Sequence, residues 1–340
     1  MNQAPAFASS AAVEAAPKVA PKAVSKAVSK AVSKAAVGAA AKAVRAPARK
    51  APWQVWRDAA GRLSALRIVT LAGLLVPVAI AVHDFSTAGF GARPLNDAIH
   101  RAGYWALIFL MIALAVTPLR RIARFNQLVD VRRMIGVGAF VYIAGHISLY
   151  IADQMFDLWK VATEIASRLY LTIGFVALIG LAALAATSTD GMVRRLGGKR
   201  WQRLHSLIYA IGLLALIHFF QQTKADVWVP TFVAGLFGWM MGYRLLVRLR
   251  KTRDEPPTWM LLALSVAISA LTFAAEAIGI GIAFNVSPLV VLRMAFDFDL
   301  YSIRPGWLVL GAGLIVAAID FLRARFGKRR PARAAARAKA

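Results

Sequence analysis

The chain has 340 residues, 59% of them hydrophobic, and a mean hydropathy of +0.60, too apolar for an ordinary soluble domain. It contains no cysteine, which excludes disulfides, iron–sulfur clusters, thiolate-held zinc and covalent haem attachment through C-x-x-C-H. The net charge of +26 asks for an anionic partner, and its placement in tails and alternate loops points to membrane lipid rather than nucleic acid.

Residues 1–62 form a low-complexity basic tail. From Pro21 the chain reads PKAVSKAVSKAVSKA, a four-residue repeat that puts Lys22, Lys26, Lys30 and Lys34 in register. Rich in Ala and Lys and poor in large apolar side chains, it cannot build a core and is expected to be disordered. The alternative is a basic helix lying on anionic lipid. No apolar run precedes a cleavage site, so it does not read as a signal peptide.

Eight apolar segments follow: Leu66–Val82, Ala102–Leu119, Met134–Ala152, Leu169–Thr187, Leu204–Phe220, Val227–Val247, Trp259–Phe284 and Gly306–Leu322. Each approaches the ~20 residues that a helix needs to cross the hydrocarbon core. Because backbone groups cannot stay unpaired there, helices are expected throughout. The fold class is therefore all-α, a polytopic transmembrane bundle. Arg120, Arg121, Arg124, Arg132 and Arg133 lie between the second and third segments. Arg194, Arg195, Lys199, Arg200 and Arg203 lie between the fourth and fifth, and further clusters follow the sixth and eighth. The intervening loops carry Asp84, Asp97, Asp153, Asp157, Glu164, Asp226, Asp297 and Asp299 instead. Basic loops stay cytoplasmic, so eight crossings with both termini cytoplasmic satisfy every loop. Glu276 and Asp320, near the ends of the last two segments, are expected to snorkel to the interface.

Five histidines remain to be placed. His146 lies roughly 18 Å along the third helix from the cytoplasmic side, and His218 roughly 21 Å along the fifth. Two imidazoles at one depth on neighbouring helices suit a six-coordinate haem, and a polar side chain inside a bilayer is costly enough to suggest function. A hydrogen-bonded core histidine is the plainer alternative. His205 opens the fifth helix beside Arg203, where a positive interfacial cap is an equally good reading. Thirteen residues from His218, it is turned roughly 140° around the helix. Arg132 shares a face with His146 to within roughly 40°, so Arg132 and His205 could line an inner site for a second haem or a quinone head group. His83 and His100 sit at the outer ends of the first two helices, and His100 could meet a haem propionate or a quinone oxygen. No G-x-G-x-x-G follows a strand, so the chain needs an outside electron donor and acceptor.

The run RRMIGVGAFVYIAGHISLY from Arg132, with H-x-S-x-Y at His146, resembles MsrQ. So do the T-S-T-D-G-M-x-R-x-L-G-x-x-W-x-x-L-H block ending at His205, I-H-F at His218 and the loop G-x-G-A-R-P-L-N-D-A-I-H ending at His100. MsrQ is the haem-binding membrane subunit of the periplasmic protein-methionine-sulfoxide reductase system, within the ferric-reductase-like transmembrane superfamily. The likeness spans about residues 66–247. It implies a bacterial inner-membrane protein that takes electrons from the quinone pool or a cytoplasmic flavin reductase. These would pass through b haem, one or two per chain, to a periplasmic molybdopterin enzyme that reduces methionine sulfoxide. Carried over by position, His146 and His218 would be axial haem ligands, and His205 with Arg132 would serve a second haem or the quinone. FMN is also attributed to the family, although no motif here answers to it.

The resemblance divides the chain into the 1–62 tail, a haem-binding domain over 63–250 with six helices, two additional helices over 251–325, and a basic cytoplasmic tail over 326–340. The added helices carry no histidine and are expected to be dispensable for electron transfer. Two other functions compete. One is a ferric-reductase-like cytochrome b with another acceptor, and the other a non-redox transporter or structural membrane protein whose histidines are incidental.

Overall fold

The computed structural model describes residues 30, 33–34, 54–58, 61–87, 91–223, 226–250, 255–298 and 303–326. Most of the basic repeat, Asp299 and the 326–340 tail beyond Phe326 therefore lie outside the described residues. The chain divides into two units, Met1–Leu63 and Ser64–Ala340. In the first, Arg57 and Leu63 pair as an antiparallel bridge around a turn in which the Arg57 guanidinium donates to the Gly61 carbonyl at 2.7 Å.

The second unit is helical over its described residues. In chain order the helices are α1 (Ala65–Thr87), α2 (Pro94–Ile122), α3 (Leu128–Asp153), α4 (Leu158–Ser167), α5 (Leu169–Ala186), α6 (Asp190–Leu196), α7 (Gly198–His205), α8 (Ile208–Gln222), α9 (Trp228–Leu249), α10 (Thr258–Phe284), α11 (Pro288–Met294) and α12 (Pro305–Phe326). Eight helical segments are long and apolar enough to span a membrane, with α7 and α8 counted together as Gly198–Gln222. The chain is a multi-pass membrane protein. Its outward side chains agree: Val69 and Val82 on α1 are 68% and 63% exposed, a surface suited to lipid rather than water.

Four helices close a ring, with α2 packed on α3, α3 on α5, α5 on α8 and α8 back on α2. Leu107, Leu110, Leu114, Ala139, Leu181 and Ile211 form part of the core inside it. Outside the ring, α1 lies on α3, and α9 lies on α2 and α8 and carries α10 and α12. Pro118 inside α2 has no N–H, so the carbonyl of Leu114 loses its helical donor. Arg244 reaches across from α9 and donates to that carbonyl at 2.6 Å.

Two local features differ from the sequence reading. The fifth span does not run unbroken from Leu204. A tight turn at Ser206–Leu207 separates α7 from α8. There the Ser206 hydroxyl donates to the Arg203 carbonyl at 2.6 Å and Leu207 N–H to Leu204 at 3.0 Å, a local competition that tightens the helix. His205 thus closes a short helix instead of opening a long one. Glu276 does not snorkel either. Glu276 is 5% exposed and meets Arg304 at 3.3 Å, because a carboxylate buried between helices needs a charged partner. Asp320 accepts the Thr258 hydroxyl at 2.6 Å.

Candidate haem site

His146 on α3 and His218 on α8 project into the ring from opposite corners, with 6.4 Å between ring centroids and 84° between ring planes. Each ring is held in the same way. His146 Nδ1 lies 2.8 Å from the carbonyl of Ile99 on α2. His218 Nδ1 lies 2.8 Å from the carbonyl of Tyr170, at the start of α5. A carbonyl only accepts, so Nδ1 carries the proton and Nε2 keeps its lone pair. Four residues beyond each carbonyl stands a glycine against the ring. A Cβ on Gly103 would come within 2.9 Å of His146, and one on Gly174 within 2.8 Å of His218. The α2–α3 and α5–α8 pairs thus repeat one clamp of carbonyl, glycine and imidazole.

These residues fit a haem iron. Metal–imidazole bonds of about 2 Å, with ring centres about 1.1 Å behind the ligating nitrogens, separate two axial rings by about 6.2 Å. Carbonyl-held Nδ1 atoms are also the usual outer partners of metal-bound imidazole. The rings face a cavity of about 770 Å³. Its deep walls are apolar, with Leu107, Leu110, Ile143, Leu178, Leu181 and Ile211. Its rim is polar, with Asn96, His100, Arg101, Asp153, Glu164 and Arg168. The α4 helix covers part of this rim. Its Glu164 accepts the Tyr150 hydroxyl at 2.7 Å and lies 3.6 Å from Arg168, while Arg168 donates to the Tyr170 hydroxyl at 3.3 Å.

The other site residues expected from sequence divide between the two ends. His100 is at the cavity rim, exposed. His205 and Arg132 lie at the Arg-rich end and do not line this cavity. The Nε2 of His205 is 3.2 Å from the Thr187 hydroxyl, its ring stacks on Trp201 at 3.9 Å, and Trp201 donates to the Thr187 carbonyl at 2.9 Å. Asp190 pairs with Arg133. The T-S-T-D-G block thus folds one basic loop around His205. None of the other four histidines stands opposite it, since His83, His100, His146 and His218 all belong to the other end. Arg132 lies within electrostatic reach of Arg120, Arg244 and Tyr209, and Arg244 sits 5.2 Å over the Tyr209 ring.

Sequence reasoning passed over Ile99, Gly103, Tyr170, Gly174, Arg101, Arg168 and the helix α4. A glycine within a run of bulky apolar residues was the available signal at 174, whereas Gly103, after His100, Arg101 and Ala102, offered none. Asp157, which caps α4 by accepting Lys160 N–H at 2.9 Å, was the signal for α4.

Comparison with known proteins finds the family described as "Ferric reductase like transmembrane component" over residues 102–216. The chain is similar to the "Protein-methionine-sulfoxide reductase heme-binding subunit MsrQ" of Rhodospirillum rubrum, 39% identical over 189 residues, which cover 55% of this chain and 91% of the relative. The protein of the same description from Xanthomonas euvesicatoria pv. vesicatoria is 38% identical over 205 residues, covering 57% of this chain and 94% of the relative. No solved structure matches.

Proposed function

The chain belongs to the MsrQ family of haem-binding subunits, and from that premise we propose that it carries electrons across the membrane through one b-type haem held by His146 and His218. A membrane haem electron-transfer role is what the family and the ferric-reductase-like match support. The observation that carries the assignment of residues is the clamped pair itself, two imidazoles 6.4 Å apart with both Nδ1 atoms on backbone carbonyls.

Bound haem supplies a one-electron couple; the chain supplies everything else. Ile99 and Tyr170 fix the tautomer of each imidazole, so the lone pairs point inward before any metal arrives. Gly103 and Gly174 let the rings lie flat against the neighbouring helices. The apolar walls would keep water from a bound iron and leave its potential to His146, His218 and their hydrogen bonds.

In this reading both termini are cytoplasmic in a bacterial inner membrane, and the histidine pair lies in the outer half. Electrons enter at the Arg-rich end from the quinone pool or a cytoplasmic flavin reductase. They leave at the cavity rim for a periplasmic methionine-sulfoxide reductase. Arg132, Arg244 and Tyr209 with the His205–Trp201 stack make the donor contact. His205, engaged by Thr187 and stacked on Trp201, serves that contact and, with no histidine opposed to it, forms no second bis-histidine haem. No residues here are assigned to FMN. The test is a full-length preparation examined by visible spectroscopy and haem quantification, then coupled to a purified periplasmic methionine-sulfoxide reductase. The expected outcome is one low-spin b haem per chain that is oxidised on adding reductase and methionine sulfoxide. A reduced haem that stays reduced there, yet is oxidised by ferric chelates, would favour the ferric-reducing alternative.

A further inference from the structure

We infer that the short helix α4 is an anchor in the membrane interface. Met155, Phe156, Leu158 and Trp159 at its start, with Ala162 and Ala166 along its outward side, seat in lipid at the boundary between hydrocarbon and headgroups. The backbone supplies the first observation. Met155 and Phe156 both hold a positive φ, 55° and 60°, a conformation that is costly for a bulky side chain. The turn they make ends α3 and throws four large apolar side chains outward in close succession. Met155 is 86% exposed, Phe156 72%, Leu158 65% and Trp159 80%. Water penalises such a run, so something apolar covers it.

The length of α5 decides what that is. Helix α5 has 18 residues and rises about 27 Å, less than the hydrocarbon thickness of about 30 Å. Beyond its last residue come Thr187, Ser188, Thr189 and Asp190, which hold that end at the polar boundary. Its first residue, Leu169, therefore cannot stand above the opposite hydrocarbon edge, and any tilt lowers it further. Leu169 is itself exposed, at the head of a lipid-facing stripe that continues through Val176 and Ile179. Only Arg168 separates it from α4, and α4 packs on α5. The level of α4 is thus set at the boundary, where aromatic side chains are favoured. The pattern of α4 matches that level. At about 100° per residue, Trp159, Ala162 and Ala166 share one side within roughly 60°, and all three are exposed. Lys160, Glu164 and Ser167 follow on the next side, a polar edge for headgroups and water. Val161 is buried on the side away from Trp159, and Ile165 and Glu164 line the cavity. The bilayer thereby steadies one wall of the candidate site, whatever that cavity holds.

The chain has no cysteine, so a single nitroxide label reports one position. Trp159→Cys, Ala162→Cys, Ala166→Cys, Lys160→Cys and Ser167→Cys are each made in the full chain, labelled and reconstituted into vesicles of phosphatidylethanolamine and phosphatidylglycerol. Val176→Cys on α5 serves as the lipid-facing reference. Relaxation of the label by oxygen, which concentrates in lipid, is compared with relaxation by a water-soluble nickel chelate. Labels replacing Trp159, Ala162 and Ala166 should favour oxygen and approach the reference, whereas those replacing Lys160 and Ser167 should favour nickel. Ala162→Cys and Ala166→Cys add little volume, so misfolding of Trp159→Cys would leave the pattern readable. Nickel dominance at both alanine positions would overturn the anchor. If a purified periplasmic methionine-sulfoxide reductase then shielded them from nickel, the surface would be a protein-docking site instead. The reading of His146 and His218 rests on the haem spectrum and is separate from either result.

Discussion

Each imidazole of the pair depends on a helix that it does not belong to. His146 is held from 47 residues away by Ile99, and His218 from 48 residues away by Tyr170. A methyl group on Gly103 or Gly174 would press into the ring from 2.8–2.9 Å, so Gly103→Ala and Gly174→Ala should tilt the imidazole and weaken axial ligation. The expected sign is a mixed or high-spin spectrum and haem lost on dilution, whereas Gly136→Ala, with nothing within 4 Å, should leave the spectrum alone. A normal spectrum in both clamp variants would show that the rings relax freely. At the other end, His205→Ala should break the Thr187 and Trp201 contacts and slow reduction by the cytoplasmic donor while the haem spectrum stays. Stopped-flow reduction with a quinol or flavin reductase reads this directly, and equal loss of haem would argue for general misfolding. Counting residues from the basic loops was enough to bring His146 and His218 to one depth. It could not find the clamp, because no local pattern connects a carbonyl to a ring nearly fifty residues away. It also could not tell that His205 turns toward Thr187, since that depends on the Ser206 turn and not on an ideal helix.

At the scale of elements, hydropathy was enough to reveal the eight spans, since a lipid-facing helix shows its length in its composition. The packing of the last two helices was hidden in weakly polar residues. Ser265, Ser269, Thr272 and Glu276 lie along one buried face of α10. Trp239 of α9 donates to Ser265 at 3.0 Å, and Ser269 donates to the Gly306 carbonyl of α12 at 2.8 Å. Gly313 of α12 packs directly against Ser265 and Trp239. Small residues at such crossings let helices approach and bond within lipid. A truncation after about Arg253 therefore bares the Trp239 and Tyr243 face of α9, both buried in the full chain. It should still bind haem, because all clamp residues precede residue 219, but it should accumulate poorly and lose its Soret band at lower temperature. Gly313→Leu should act alike, at a cost of about 1–3 kcal/mol for overpacking, read as an earlier thermal loss of the Soret band with an unchanged spectrum at rest. A truncated protein that inserts at normal levels without haem would mean that α10 and α12 shape the cavity from a distance.

For the whole molecule, one ring of four helices holds the proposed haem ligands, and the remaining spans support it from outside. His146 and His218 and the Arg-rich end with His205 sit at opposite ends of that ring, the layout that the proposed transmembrane electron path requires. The central claim is that one haem bridges α3 and α8 and that His205 holds none. It is tested most directly by haem stoichiometry and low-temperature spin-state spectra of the full-length protein beside His146→Ala, His218→Ala and His205→Ala. The account predicts one low-spin haem per chain, lost or made high-spin in each of the first two variants and retained in the third. Two haems per chain with one lost in His205→Ala, or a full low-spin spectrum in both His146→Ala and His218→Ala, would contradict it.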